Sequence, residues 1–298
     1  MDPFRSIVVG IDFSDASVAA LKQALRLARF EEGKVHAVQV VDREHLEDQV
    51  RLHGVAVEQA VDRIHAHLIR HLALHGGADG VEAHVVLGSP ASGLEDVAHR
   101  SAADLVVLGS RGWDHHQVGS VGAVASKCVR RSSRPVLLVR RFHEGPFHRI
   151  VACTDYSPAA SLAVSRAMHL ASKEGARLDV VHVDFPSWMQ PVHVQYDLQS
   201  TPDPDYQDQY RAALRSRLER HVEALGLPEG LDCRCHVMED MRPADGIIRF
   251  LNQEEADLVV LGTSGRGGLS AFLLGTTAER LLHRSQCSVL TVKPPKPE

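Results

Sequence analysis

Residues 256–282 read ADLVVLGTSGRGGLSAFLLGTTAERLL, and their reading decides the fold. The stretch opens on Leu258-Val259-Val260-Leu261, an unbroken apolar run of strand length, the pattern of a strand buried on both faces. Glycines follow at Gly262, Gly265, Gly267 and Gly268, and Gly275-Thr276-Thr277 then leads into a helical run, 278–282. Strand, glycine-rich loop and helix start together describe a phosphate cradle. Glycine lets backbone N–H groups approach a ligand closely. The first turn of the helix adds unpaired N–H groups and a partial positive charge. The loop is neither a G-x-x-x-x-G-K-[ST] nor a G-x-G-x-x-G motif.

Working outward, the seven residues 103–109 (ADLVVLG) recur unchanged at 256–262. Ile150-Val151 answers Ile7-Val8, and Asp155-Tyr156-Ser157 answers Asp12-Phe13-Ser14. An identity of this length, in register with the other matches, marks an internal duplication. Asp155 stands 143 residues after Asp12, whereas Gly262 stands 153 after Gly109, so the second copy carries ten extra residues. Their expected place is 185–205, a segment rich in Pro, Asp and Gln.

In the first copy, apolar runs at 7–11, 35–41, 81–87, 105–108 and 136–139 read as strands. Ser14 or Asp15 caps a helix whose apolar positions are Leu21, Ala24, Leu25 and Ala28. Residues 44–75 read as one long helix, and 94–100 belong to another. Strands alternating with helices predict an α/β fold with a parallel sheet, helices on both faces and right-handed crossovers. The expected domains are 1–140 and 148–298, joined by a linker at 141–147.

The chain has 298 residues, 44% hydrophobic and 24% charged, with a net charge of −5 and no long block of one sign. That balance argues against a general nucleic-acid surface. No apolar stretch reaches membrane-spanning length, and the start runs straight into a strand, leaving no room for a signal peptide. Five scattered cysteines do not suggest a disulfide framework. The expectation is a cytoplasmic protein with reduced thiols and no membrane insertion.

Gly262, two residues, Gly265, nine residues and then Gly275-Thr276 resembles the nucleotide-binding signature of the universal stress protein family, and nearly the whole chain resembles its tandem type. The resemblance implies two tandem Rossmann-like (adenine nucleotide alpha hydrolase-like) domains, each a five-stranded parallel sheet. It implies ATP, or AMP or ADP, with Mg²⁺ as an accompanying ion, and a stress-response role. In the second copy Asp155 matches the aspartate that meets the adenosine, and Val183 the position whose backbone meets the base. Leu261, Gly262 and Gly265 match the loop. Gly275, Thr276 and Thr277 match the phosphate-binding helix start. Arg266 is a charge partner for phosphate or, equally, a solvated loop residue. The first copy offers Asp12, Val40, Leu108, Gly109, Gly112, Gly122, Ala123 and Val124. It departs at Ala123, where Ser or Thr is expected. Asp114 and His115 also replace Gly267 and Gly268, and Trp113 replaces Arg266. Nucleotide is therefore expected mainly in the second half. The tandem arrangement resembles a dimer fused into one chain, with further homodimerisation left open.

His67, His71 and His75 share a helix face, which reads as a polar face before it reads as a metal site, and no metal is expected. Cys233 and Cys235 point to one side of a strand with His236 on the other, a poor tetrahedral set. There is no nucleophile elbow and no H-E-x-x-H motif, so no catalytic residue is assigned; slow ATP hydrolysis stays open without a residue to carry it. Two rival readings are a nucleotide-dependent enzyme and a scaffold for an apolar or lipid-like ligand, with Trp188, Met189 and Tyr196 lining a cleft.

Overall fold

The computed structural model describes residues 4–77, 80–110, 121–140, 143–186, 188, 203–263 and 274–293. It divides into two compact units, Asp2–Gly145 with Gln286–Leu290, and Pro146–Ser285 with Thr291–Glu298. The first half runs β1 (Ser6–Gly10), α1 (Asp15–Phe30), β2 (Lys34–Val41), α2 (Arg43–His53), α3 (Val57–Leu74), β3 (Val81–Leu87), α4 (Pro90–Arg100), β4 (Leu105–Gly109), α5 (Ala123–Arg131) and β5 (Val136–Val139). The second runs β6 (Arg149–Cys153), α6 (Pro158–Glu174), β7 (Arg177–Asp184), α7 (Pro204–Ala224), β8 (Cys233–Glu239), α8 (Pro243–Gln253), β9 (Leu258–Gly262), α9 (Thr276–Arg284) and β10 (Ser288–Val292).

Strand order is β3-β2-β1-β4-β5 in the first half and β8-β7-β6-β9-β10 in the second. All four pairings of the first half are parallel, as are β8-β7, β7-β6 and β6-β9 in the second. The order reverses direction between β1 and β4, and again between β6 and β9. Connections leaving these neighbours diverge, which opens a crevice at the carboxyl ends of the strands.

Both ends of the repeated ADLVVLG are fixed by packing. The Asp104 carboxylate accepts the backbone N–H groups of Arg5 and Ser6 at 2.9 and 3.0 Å, and Asp257 accepts those of His148 and Arg149 at 2.7 and 2.9 Å. Each aspartate thus holds its strand level with the start of the neighbouring one. A Cβ on Gly109 would lie 2.7 Å from the backbone of Ala16, and one on Gly262 would lie 2.8 Å from that of Ala159. The first turns of α1 and α6 therefore seat directly on these glycines. Ser14 and Ser157 are the caps of the two helices, their hydroxyls accepting from the N–H groups of Ser17 and Ala160.

Two local expectations change. The single helix expected over 44–75 is two helices, α2 and α3, because Gly54 adopts a left-handed φ of +63° and ends α2. Apolar periodicity persists across the break, so pattern alone conceals it. The end of the segment 185–205 already belongs to α7, since the Asp203 carboxylate caps it through the Tyr206 N–H at 2.8 Å. Trp188 packs edge-on against Tyr210 and Tyr206 of that helix, with ring centres 4.9 and 6.0 Å away. Met189 and Tyr196 lie outside the described residues.

Candidate functional site

The crevice of the second half holds a cavity of about 270 Å³ at the carboxyl ends of β6, β7 and β9. Its walls mix apolar side chains, among them Val183, Ile247 and Leu261, with the polar groups of Thr154, Asp155 and Thr263. Gly275, Thr276 and Thr277 border it at the start of α9. The sequence reading brought Asp155, Val183, Leu261, Gly262, Gly275, Thr276 and Thr277 forward separately, and all seven line this one space. It missed Cys153, Thr154, Thr263, Pro243 and Ile247. Thr154 and Thr263 are polar residues just past strand ends, a signal that was available. Pro243 and Ile247 reach the cavity only through the packing of α8.

The two glycines of the second half differ in what they require. Gly262 has no room for a side chain because α6 covers it. Gly275 has an ordinary φ of −61° and a cap position on α9, and among the described residues a Cβ there would meet nothing closer than the Thr263 carbonyl at 3.5 Å. Among the described residues no side-chain bond caps α9, and its first residues line the cavity. The Gly275 N–H itself bonds to the Thr263 carbonyl at 2.8 Å, which fixes the helix start against β9.

Asp155 sits in a strained turn. Its carboxylate accepts the Ser157 N–H at 3.0 Å, and the intervening Tyr156 is held at a φ of +65°. A bulky residue there costs on the order of 1–3 kcal/mol. Aromatic contacts offset it, because Tyr156 packs on His182 and His221 at 4.6 and 5.1 Å, with the Arg217 guanidinium 4.3 Å above the ring. Burial, and then the Arg217 charge, push the His221 pKa below its ordinary value. The first half repeats the device. Phe13, at a φ of +64°, packs on His67 and His71 at 4.5 and 4.9 Å, and Asp12 accepts the Ser14 N–H at 3.0 Å. His67 and His71 of α3 thus support a turn, His75 at the end of the helix packs on His71 at 4.6 Å, and burial followed by His75 and His67 lowers the His71 pKa.

Among the remaining first-half candidates, Val40 and Leu108 lie beside glycines. A Cβ on Gly93 of α4 would lie 2.9 Å from the Val40 side chain, and the Leu108 side chain lies 2.6 Å from where one on Gly10 would be. At the matching places of the second half, Val183 borders the cavity and Cys153 replaces Gly10. Gly122 caps α5 without a side-chain bond, as Gly275 caps α9, but Ala123 and Val124 bring no hydroxyls to that helix start. Gly112, Gly265 and Arg266, together with Trp113, Asp114, His115, Gly267 and Gly268, lie outside the described residues. All five cysteines are free thiols, with Cys233 and Cys235 half-buried on β8, and no described helix is long and apolar enough to cross a membrane.

Comparison with known proteins adds the lineage. The model of the universal stress protein family matches twice, over residues 3–140 and 146–293. One universal stress protein of Mycobacterium tuberculosis is 29% identical over 227 residues, covering 73% of this chain and 71% of that protein. A second from the same organism is 26% identical over 321 residues, covering 97% and 95%. The crystal structure of a universal stress protein from Archaeoglobus fulgidus shares the fold, with a TM-score of 0.67 at 18% identity over 97% of this chain and 98% of that one.

Proposed function

The chain belongs to the universal stress protein family, and on that footing we propose that it binds ATP or a related adenine nucleotide, mainly through its second half, as a stress-response module of the cytoplasm. The observation that supports this reading is a single cavity lined both by Asp155 and by the start of α9, which no described side chain caps. At about 270 Å³ it lies near the lower end of ligand pockets, roughly 300–1,000 Å³. That suits an adenosine inside, with its phosphates at the mouth. Val183, Ile247 and Leu261 supply apolar walls for a base. Asp155 supplies an acceptor for a ribose hydroxyl or an exocyclic amine. The α9 N–H groups and the Thr276 and Thr277 hydroxyls supply donors and a favourable dipole for phosphate. A Mg²⁺ ion would arrive with the phosphates rather than in a protein cage.

Gly275 gives a clean test because its backbone and surroundings accept a side chain. Gly275→Val should fold normally while filling the approach to the α9 N–H groups. Titration calorimetry with ATP on the full chain should show affinity about ten- to hundredfold weaker than wild type. Unchanged affinity in a folded Gly275→Val protein would overturn this reading. No residue is assigned to hydrolysis, and turnover with Mg²⁺ should stay well below about 1 s⁻¹.

A further inference from the structure

Away from the crevice, the first half gathers three metal-ligating side chains on its outermost strand pair. β2 and β3 run parallel with His36 opposite Glu82 and Val38 opposite His84. Register partners in a parallel pair share a face, and Glu82 and His84 are two apart on one strand, so all three side chains project from the same side of the sheet. His36 Nδ1 lies 3.2 Å from Glu82 Oε2 and 3.3 Å from His84 Nε2, and the third edge, His84 Nε2 to Glu82 Oε2, is 4.0 Å.

We infer that His36, Glu82 and His84 bind one divalent transition-metal ion of the zinc type. Tetrahedral zinc with bonds of about 2.0–2.1 Å holds its ligand atoms about 3.3–3.4 Å apart. Two edges of the triangle match that spacing. Rotation of the half-exposed Glu82 side chain closes the third. A hydrogen-bonded account satisfies the cluster less well. The His36 Nδ1 faces a ring nitrogen and a carboxylate oxygen at nearly equal range, and one N–H donates fully to only one of them. A cation at the centre accepts all three lone pairs together. Two imidazoles and a carboxylate suit zinc and its transition-metal neighbours rather than Mg²⁺ or Ca²⁺.

Access and charge also fit. His36 forms the buried floor with 8% of its side chain exposed, while Glu82 is 54% exposed and opens the site to solvent, leaving a fourth position for water. Lys34 lies 3.9 Å from Glu82 Oε1, the other carboxylate oxygen, and leaves Oε2 to the cluster. Its charge opposes a cation, but the side chain is 75% exposed, so solvent screens it. Arg100 and His65 also stand near His84. His65 is turned to the backbone, its Nε2 3.3 Å from the Ala83 carbonyl. The second half carries Asp179, Arg234 and His236 at the matching positions, where the Asp179 carboxylate is already taken by Arg177 and His236 at 2.8 Å each. One such ion is therefore expected among the described residues, and it would tie β3, the outermost strand of the first half's order, to β2.

The test uses the full chain stripped with a chelator and titrated with Zn²⁺ against a chromogenic competitor. Wild type should bind one equivalent tightly. His84→Ala and Glu82→Gln should each weaken that site about a hundredfold or more, exceeding the tenfold to hundredfold typical of changes to outer partners. Both sites are partly exposed, so these variants should keep the wild-type circular dichroism. As a measurement independent of any variant, ¹⁵N histidine-ring spectra should show His36 and His84 shifting first on adding one equivalent. Absence of a one-equivalent site in wild type would overturn the inference. So would full retention of that site in both variants, or ring shifts and binding loss confined to His67, His71 and His75.

Discussion

Matching positions on the outer strands of the two halves carry different chemistry in the same register. His36, Glu82 and His84 on β2 and β3 stand where Asp179, Arg234 and His236 stand on β7 and β8. In the first set one ligand atom from each of the three side chains lies within 4.8 Å of the others. The second closes on itself: Asp179, 1% exposed, pairs with His236 and Arg177, and Arg177 reaches on to Glu254 at 2.6 Å. The helix starts at the crevices differ as well, with Ala123 and Val124 after Gly122 in one half and Thr276 and Thr277 after Gly275 in the other. Duplication has preserved what the sheet needs, namely buried strands, the glycine under the first helix and the aspartate that levels two strands. Positions that the sheet leaves free have diverged in residue type and in contacts.

The largest expected effect lies in the closed network. Asp179→Asn removes the buried carboxylate that Arg177 and His236 share, and should cost roughly 3–5 kcal/mol in urea unfolding. In metal-free protein His84→Ala, at a half-exposed position of the first half, should cost under about 1 kcal/mol. Equal losses would erase the contrast between the two outer pairs. The same network sets an acid limit. Burial works against the Asp179 charge, but His236 and Arg177 outweigh it and hold its pKa below the usual carboxylate value. A depressed folded pKa means the stabilisation is complete above the unfolded value of about 3.9 and is lost as pH falls through the folded one. Wild type should therefore lose stability below about pH 4 more steeply than Asp179→Asn.

Next comes the ligand contrast. Asp155→Ala should weaken ATP binding by about 1.5–3 kcal/mol, about ten- to hundredfold. Asp12→Ala should change it less than about threefold. Calorimetry showing the reverse order would assign the nucleotide to the first half. Gly109→Ala and Gly262→Ala sharpen the other side of the comparison. Each drives a Cβ into a helix backbone, and each should lower stability by about 1–3 kcal/mol whatever the ligand. A loss at only one of them would show that the two helix seats are not equivalent. The smallest effect is again a shared one: Ser14→Ala and Ser157→Ala each remove a helix cap worth about 1 kcal/mol, read as matched shifts in thermal unfolding.

Much of the candidate site was legible because it uses residues at strand ends and at a helix start, where a break in an apolar run is easy to see. Asp155, Gly262 and Gly275 each follow such a signal. Pro243 and Ile247 were not legible, since they reach the cavity only through how α8 packs. The break at Gly54 escaped notice because helical periodicity continues on both sides of it. The His36–Glu82–His84 cluster was hidden for a different reason: its members lie on two strands, and only the register of β2 against β3 brings them together.

By itself the sequence determined the duplication, the strand and helix alternation, the family and the loop on which a nucleotide site would be built. These depend on local pattern: apolar runs, caps and glycine spacing. Tertiary structure alone decided that a Cβ on Gly262 would meet α6 at 2.8 Å while one on Gly275 would meet, among the described residues, nothing closer than the Thr263 carbonyl at 3.5 Å, because those atoms are remote in sequence. It also decided that matching outer strands hold a salt-bridge network in one half and the His36–Glu82–His84 cluster in the other. Side chains meet across strands according to register, and register is fixed by backbone hydrogen bonding between segments that pattern reads only one at a time.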